Sequence, residues 1–389
     1  MGLLDRLFGR RGRSAARDAG AWRDLGGYTP VFRSGPGELY EKELVRSAVH
    51  AFAKACAKLT PSVRGDDALD RALRARPNPW QDTYKFLYRV ATIYKMETTA
   101  FIVPLLTATD ERVCGYYPVL PSSAEAVEHG GELFLRFGFA GGERAALELS
   151  KVGVMTSHQY RDALFGDGNG PLRTTLELID TQAQGIVEGI KASATTRLLV
   201  RVSANVRPED LERERKRFVA ENLSTRANGG VVFADNKYDD VKQLHTRPYL
   251  VDAAQQRLIE DNVYGYFGVN ADILQNRFDE AAWNAFYEGE VEPFATQLSL
   301  VLSNMTFPGA GAPAPGGDAP GVVLSDSRLQ YATTASRLAF ATQMRDRGML
   351  SANEARAMFG LGPVPGGDAY WIRREYADIS ETVKGDQDG

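Results

Sequence analysis

Gly166, Gly168 and Gly170 alternate directly ahead of Pro171 and an apolar-striped helix. Exposed amides in such a loop, at a helix N-terminus, can cradle a phosphate. The lysine and hydroxyl that complete a P-loop are missing, and no strand–helix–strand unit surrounds the loop. A turn plus a helix start is the plainer reading. Asp235, Asp239 and Asp240 cluster as calcium ligands do, but the spacing is not that of an EF-hand and the central glycine is absent, so a solvated turn is expected. His158 follows Ser157 with no nucleophile–base arrangement nearby, and His245 sits beside Thr246 and Arg247 in an equally plain setting. Asp386 and Asp388 stand in the last four residues, where a frayed tail is expected. Cys56 and Cys114 form no Cys-x-x-Cys pair, so neither a disulfide framework nor a zinc site is expected. These residues lead to the expectation of a non-enzymatic chain with no cofactor and no metal.

The elements that would position these residues follow from periodicity. Val45, Val49, Phe52, Cys56 and Leu59 make one apolar stripe, which predicts a helix over about residues 40 to 59. A polar loop rich in arginine and aspartate follows. Asn78-Pro79 reads as a cap and first helical residue, with Trp80, Tyr84, Leu87, Ala91 and Tyr94 on one face. From Thr98 the pattern turns to strands: 98–106, 112–119 across a turn at Thr109-Asp110, 133–140 and 145–149 across Gly141-Gly142, and 151–155. Residues 98–156 therefore predict one small antiparallel sheet, and the clustering of strands predicts an α+β fold.

Pro171 is expected to open a long helix, striped by Leu172, Leu176, Ile179, Ala183, Ile186 and Ile190. An α/β insert follows: a strand at 197–206, a charged helix from Glu209 to Glu221, and strands at 231–234 and 241–244. Glu209 and Arg213 have the favourable i,i+4 order for an ion pair. Further helices are predicted over 253–267 and 283–305, the second kinked at Pro293. Residues 308–321 hold proline, glycine, alanine and one aspartate, a composition that predicts a flexible linker. A short strand at 322–324, a second at 328–333 and two helices close the chain. Ser351 and Glu354 have capping-box spacing, and Gly348 ends the preceding helix.

With 389 residues the chain is long enough for two or three domains. Its net charge of −4 argues against a protein that coats nucleic acid, because such proteins are strongly basic. No stretch reaches the roughly 18 apolar residues of a membrane helix, so no membrane association is expected. The opening MGLLDRLFGRRGRSAAR is too short and too charged for a signal peptide, and Arg6 breaks the myristoylation pattern. A solvated basic arm is expected, with contact to a partner or nucleic acid through Arg10, Arg11, Arg13 and Arg17 as the functional alternative.

Several of these stretches, taken in order, resemble the phage portal protein family in its long-tailed branch, over about residues 80 to 378. The most specific is Gly348-Met-Leu-Ser-Ala-Asn353-Glu354-Ala-Arg356 followed by Gly360-Leu-Gly-Pro363-Val-Pro-Gly366-Gly367-Asp368. It is similar to the family's glycine, Ser/Thr, Asn-Glu-x-Arg, Pro…Gly-Gly-Asp signature. Gly168-Asn-Gly170-Pro171-Leu172 resembles the loop before a stem helix. Phe267-Gly268-Val269-Asn270 resembles a Phe-x-Val-Pro step with Asn270 in place of proline, and Val291-Glu-Pro293 resembles a kinked channel helix. The N-terminal Met-Gly-Leu-Leu-Asp-Arg-Leu-Phe is similar too.

The resemblance implies a portal fold with an antiparallel β wing, long stem and channel helices, a small α/β clip and a helical C-terminal crown. The implied divisions are an arm at 1–40, wing at 41–165, stem helix at 166–196 and clip at 197–248. A second stem helix, tunnel loop and channel helix would occupy 249–307, with a linker at 308–321 and a wing strand and crown at 322–389. It implies a homo-oligomeric ring of about twelve subunits, each using two different complementary surfaces. The ring would sit at the portal vertex of the virion, after assembly in the host cytoplasm. Its implied partners are non-specific double-stranded DNA, the terminase large subunit, a head-tail adaptor and the capsid or scaffold protein. The implied DNA-facing residues are Asn270, Gln275, Asn276 and Arg277, the last through phosphate rather than bases. Arg213, Arg217 and Lys237 are the implied clip contacts, and Ser351, Asn353, Glu354 and Arg356 a structural motif. The competing classes are another head or tail structural protein, such as an adaptor, and a nucleotide-binding enzyme built on the glycine loop.

Overall fold

The computed structural model describes residues 23–28, 39–107, 112–193, 197–202, 208–222, 238–244, 253–310, 319–325 and 334–372. Two compact units divide the chain, Met1–Leu172 with Glu260–Gly389, and Arg173–Ile259. Helices and antiparallel strands are mixed in an α+β arrangement, as the sequence predicts.

The first unit begins with strand β1, Arg23–Tyr28, which pairs antiparallel with a later strand, so the span 1–40 is not wholly an arm. Helix α1, Glu43–Cys56, buries Val45, Val49, Phe52 and Cys56 completely. Strand β2, Thr60–Arg64, and helix α2, Asp67–Ala75, stand where sequence patterning predicts a polar loop. In α2, Leu69 and Leu73 lie four apart and face inward, while Asp66 accepts from the amides of Ala68 and Leu69. Alanines and charges on the other positions give this short amphipathic helix little apolar bulk.

Helix α3, Thr83–Glu97, starts four residues after Pro79, capped by Asp82 through the Lys85 amide at 2.8 Å. Asn78 is buried instead and donates to Gln81 Oε1 and the Tyr116 carbonyl, both at 3.0 Å. The asparagine is committed to tertiary contacts, and Trp80 lies outside the helix. The expectation of a helix beginning at Pro79 is corrected accordingly.

Two sheets replace the single expected one. Strands β3, Thr99–Leu106, and β4, Val113–Val119, belong to a three-stranded sheet. Strands β5, Ser123–His129, β6, Glu132–Gly138, and β7, Arg144–Glu148, join β1 in a four-stranded sheet of order β1-β5-β6-β7. Strand β8, Gly153–Thr156, completes the first as β4-β3-β8. Phe101, Phe137 and Phe165 pack edge to face between them, in a core shared with Val103, Tyr117 and Leu135.

In the second unit, Arg173–Ser193 forms helix α4, about 31 Å long at 1.5 Å per residue. Pro171 lies just before it, in a 3-10 turn at Gly170–Leu172. Strand β9, Arg197–Val202, helix α5, Pro208–Asn222, and strand β10, Tyr238–Leu244, follow, with β9 and β10 antiparallel. Asp239 and Asp240 stand in β10 rather than in a turn. Helix α6, Ala253–Tyr266, leads back to the first unit.

There a single turn, α7, Ala271–Leu274, precedes α8, Glu280–Phe286. A π-helical turn, Tyr287–Val291, links α8 to α9, Glu292–Thr306. The predicted break near Pro293 is therefore a wide turn just before it. Strand β11, Gly321–Ser325, pairs with β2, and the buried Ser299 and Ser303 of α9 bond its backbone at Leu324 and Val322. Helices α10, Thr334–Asp346, and α11, Ala352–Ala357, close the described chain.

The arm's arginines, the turn at Thr109-Asp110, strands 231–234 and 328–333, Asp235, Lys237, His245, residues 311–318, Asp386 and Asp388 lie outside the described residues.

Candidate functional site

Gly268 ends α6 in the left-handed region, at φ +74, and the next amide, Val269, donates to the Tyr264 carbonyl at 3.0 Å. Asn270 then caps α7, its side chain accepting from the Ile273 amide at 2.9 Å. Its φ of −128 is one a proline cannot adopt, so the helix start here rests on a side-chain cap instead of a ring. Asn276 stands at φ +54, which asparagine tolerates better than most residues. Asp279 caps α8 through the Ala282 amide at 2.7 Å.

The sequence-predicted residues Asn270, Gln275, Asn276 and Arg277 fall together on this exposed stretch. Asn270 is spent on its cap. Asn276 accepts a hydrogen bond from Lys54 of α1 at 3.4 Å, a residue that sequence reading missed. Nothing in the spacing of Lys54 within an apolar-striped helix signals this role. Arg277 is exposed, and its backbone amide bonds the Asp272 carbonyl. Between 272 and 292 it is the one base among six acids, Asp272, Asp279, Glu280, Glu288, Glu290 and Glu292. Such a surface supplies neutral hydrogen-bonding groups and two cations, Arg277 and Lys54, along an otherwise acidic stretch of sequence, which suits loose contact with a polyanion.

A half-buried ion pair lies against Gly268 at the start of this stretch. Lys95, near the end of α3, donates to Glu290 of the π turn at 2.6 Å, and its ammonium sits 4.5 Å from the Phe52 ring centre. Burial pushes the neighbouring Cys56 thiol well above its ordinary value. The glycine loop serves the same region structurally. The Gly166 and Gly168 amides donate to the Thr99 and Thr98 hydroxyls, so they do not face outward as a phosphate cradle would. Buried Asn169 donates to the Lys95 and Met96 carbonyls, at 3.0 and 2.6 Å, and accepts from the Tyr266 hydroxyl at 2.9 Å. It thereby satisfies the last carbonyls of α3. His158 stacks on Tyr266 with ring centres 5.2 Å apart, and burial, then the Lys95 charge, lowers its pKa. Among the described residues no group of three or more His, Cys, Asp or Glu could hold a metal ion. No described helix is long and apolar enough to cross a membrane.

On α5, Arg213 pairs with Asp210 at 3.3 Å, three residues back, in place of the Glu209 partner expected from spacing. Arg217 is exposed on the same helix.

The C-terminal motif is a clamp. Ser351 Oγ accepts from the Glu354 amide and Glu354 accepts from the Ser351 amide at 2.7 Å, the reciprocal capping box. Asn353 bonds Val364 from both ends of its amide and donates to Asp368 at 2.7 Å. Arg356 donates to the Gly362 carbonyl at 2.8 Å, and Tyr370 to Glu354 at 3.0 Å. Gly348, at φ +71, closes α10, with the Met349 amide reaching back to Met344.

The fold is similar to a chain in the neck of a native gene transfer agent particle computed with C12 symmetry: 17% identity, TM-score 0.59, covering 91% of this chain and 99% of that one. A chain in the native gene transfer agent virion gives 17% identity, a TM-score of 0.58 and the same coverage. An HK97 family phage portal protein from Corynebacterium diphtheriae gives 13% identity and a TM-score of 0.48, covering 79% of this chain and 99% of that one. No curated protein sequence matches this chain. The family described as phage portal protein matches residues 43–360, which include the π turn, Asn169 and the helix of the C-terminal clamp but not its turn at 362–370. The chain belongs to the phage portal protein family.

Proposed function

We propose that this chain is the subunit of a ring at one vertex of a phage or phage-like capsid, a conduit for packaging and ejecting double-stranded DNA. Likeness to a neck chain reconstructed with C12 symmetry favours about twelve copies. The role is structural rather than catalytic: the ring guides DNA, docks the terminase large subunit during packaging and later a head-tail adaptor, and contacts the capsid or scaffold. Assembly occurs in the host cytoplasm. In this reading the insert 197–248 carries the docking surface, with Arg213, Arg217 and Lys237 at it, and the C-terminal helices form the crown.

The observation that carries the DNA assignment is the exposed turn at Gln275, Asn276 and Arg277, set among six acids. A strongly basic bore would grip DNA through counterion release, whereas a mostly acidic one lets it slide. The test places a photo-crosslinking residue at Gln275 in DNA-filled particles, with exposed Leu133 of the wing as control. Crosslinks to DNA at 275 and not at 133 support the assignment. Equal labelling at both positions, or none at 275, contradicts it.

A further inference from the structure

We propose that Lys95 and Glu290 are a positioning pair, whose ion bond holds the wide turn that fixes the orientation of the 275–277 stretch. The functional consequence rests on the reading of that stretch as DNA-facing; the geometry does not.

Segments α8, the π turn and α9 would form one helix if the turn were α-helical. A π turn contains one more residue than an α turn, so rewinding it rotates everything before it by about 100° and shifts it by about 1.5 Å along the axis. Helix α9 cannot be the part that moves. Phe294, Leu298 and Leu302 are buried, and Ser299 and Ser303 are bonded to β11. Rewinding would therefore turn α8 and the turn before it, swinging its buried Trp283 and Phe286 out of their packing, with the surplus residue passing into the loop at 275–279.

Two features make the wide turn inexpensive. Pro293 has no amide hydrogen, so the α-helical bond to Gly289 is already missing. The Glu292 amide reaches five residues back, to the Tyr287 carbonyl, and so keeps a partner in the wide turn. Two further features select it. Glu290 meets Lys95 on the end of α3, which Asn169 clamps, and the two side chains are only 27% and 11% exposed. The Glu290 carboxylate also occupies the room that a Cβ on Gly268 would need. Rewinding the turn displaces Glu290 from Lys95 and leaves two poorly hydrated charges unpaired, which is costly. π turns are rare and concentrate at functional places in helices, in keeping with this one lying beside the exposed stretch.

The test is amide hydrogen exchange of the full-length protein, as wild type and as the variants Lys95→Met, Glu290→Gln and Lys95→Arg. In the first two, exchange over 271–286 is expected to rise about tenfold or more while strand β6 is unchanged. Lys95→Arg, which keeps the charge, stays close to wild type. Unchanged exchange at 271–286 in both charge-removing variants overturns the proposal. So does a rise shared equally by β6, which signals general loosening, or a rise in Lys95→Arg equal to that in Lys95→Met. Exchange requires no DNA, so a failed crosslink at Gln275 removes the DNA reading without touching this result.

Discussion

Asn353 and Gly367 are fitted to each other: the Asn353 amide donates to the Gly367 carbonyl at 2.8 Å, and a Cβ on Gly367 would overlap the Asn353 side chain. This pairing explains in physical terms why the motif needs asparagine in the helix and glycine in the turn. Alanine at 367 collides with the Asn353 side chain, whereas alanine at 353 keeps the backbone bond and loses the side-chain ones. Asn353→Ala loses the bonds to Val364 and Asp368 and is expected to cost about 1–2 kcal/mol, because the site is exposed. Gly367→Ala displaces Asn353 and gives a similar loss. Local hydrogen exchange over 351–368 measures both, and a loss unequal by tenfold or more would separate the two residues.

The clamp also predicts a pH response. Hydrogen bonds from the Ser351 amide and the Tyr370 hydroxyl hold the Glu354 carboxyl below its ordinary 4.5. A carboxylate whose folded pKa is depressed contributes stability above its unfolded pKa and loses it as pH falls through the folded value. Protection of α11 should therefore be constant near neutrality and fall on acidification below about 4.5. Glu354→Gln should abolish that dependence while retaining a weaker cap. An acid response identical in wild type and variant contradicts the assignment.

Asn169 is expected to be more sensitive than its place in a glycine loop suggests. It is buried, closes α3 with two donated bonds and receives one from Tyr266. Asn169→Ala leaves the Lys95 and Met96 carbonyls without that donor, at an expected cost of about 2–4 kcal/mol. Denaturant unfolding at constant slope measures it, and a loss under about 0.5 kcal/mol would show that water substitutes.

Phe52 joins α1, α3 and α9: its ring is 5.6 Å from that of Phe294 and 6.5 Å from that of Tyr94, and it is fully buried. Phe52→Ala is expected to cost about 3–5 kcal/mol through lost burial and a residual cavity. The same substitution at exposed Leu133 should be nearly neutral, which calibrates the measurement.

The sequence made visible those features that rest on local spacing. The capping box Ser351–Glu354 and the stripe of α1 depend on residues three and four apart; the box stands as read, and the stripe holds through Cys56, with Leu59 buried beyond the helix end. What stayed hidden depends on distant partners. Asn78 carries a cap signature, yet its amide bonds Tyr116, 38 residues away, and the helix begins later. Helix α2 is only nine residues long, and of its apolar positions at helical spacing, Ala68, Leu69, Ala72 and Leu73, two are small, so its signal is short. Strand β1 is defined by its pairing with β5. Lys95 and Glu290 are 195 residues apart, and no pattern in either segment announces the other. Pro293 marks the break between α8 and α9, but whether a kink or a wide turn results depends on where Glu290 finds its partner. The resemblance points to 270–277, whose Asn270, Gln275, Asn276 and Arg277 are exposed, whereas no pattern points to Lys54 beside Asn276.

Many copies of this chain are expected to close into a ring around a channel. Mass photometry with negative-stain electron microscopy of the purified full-length protein tests it most directly. The expected result is a ring of about twelve subunits with a central opening, stable without added nucleotide. A stable small oligomer that hydrolyses nucleotide would contradict it.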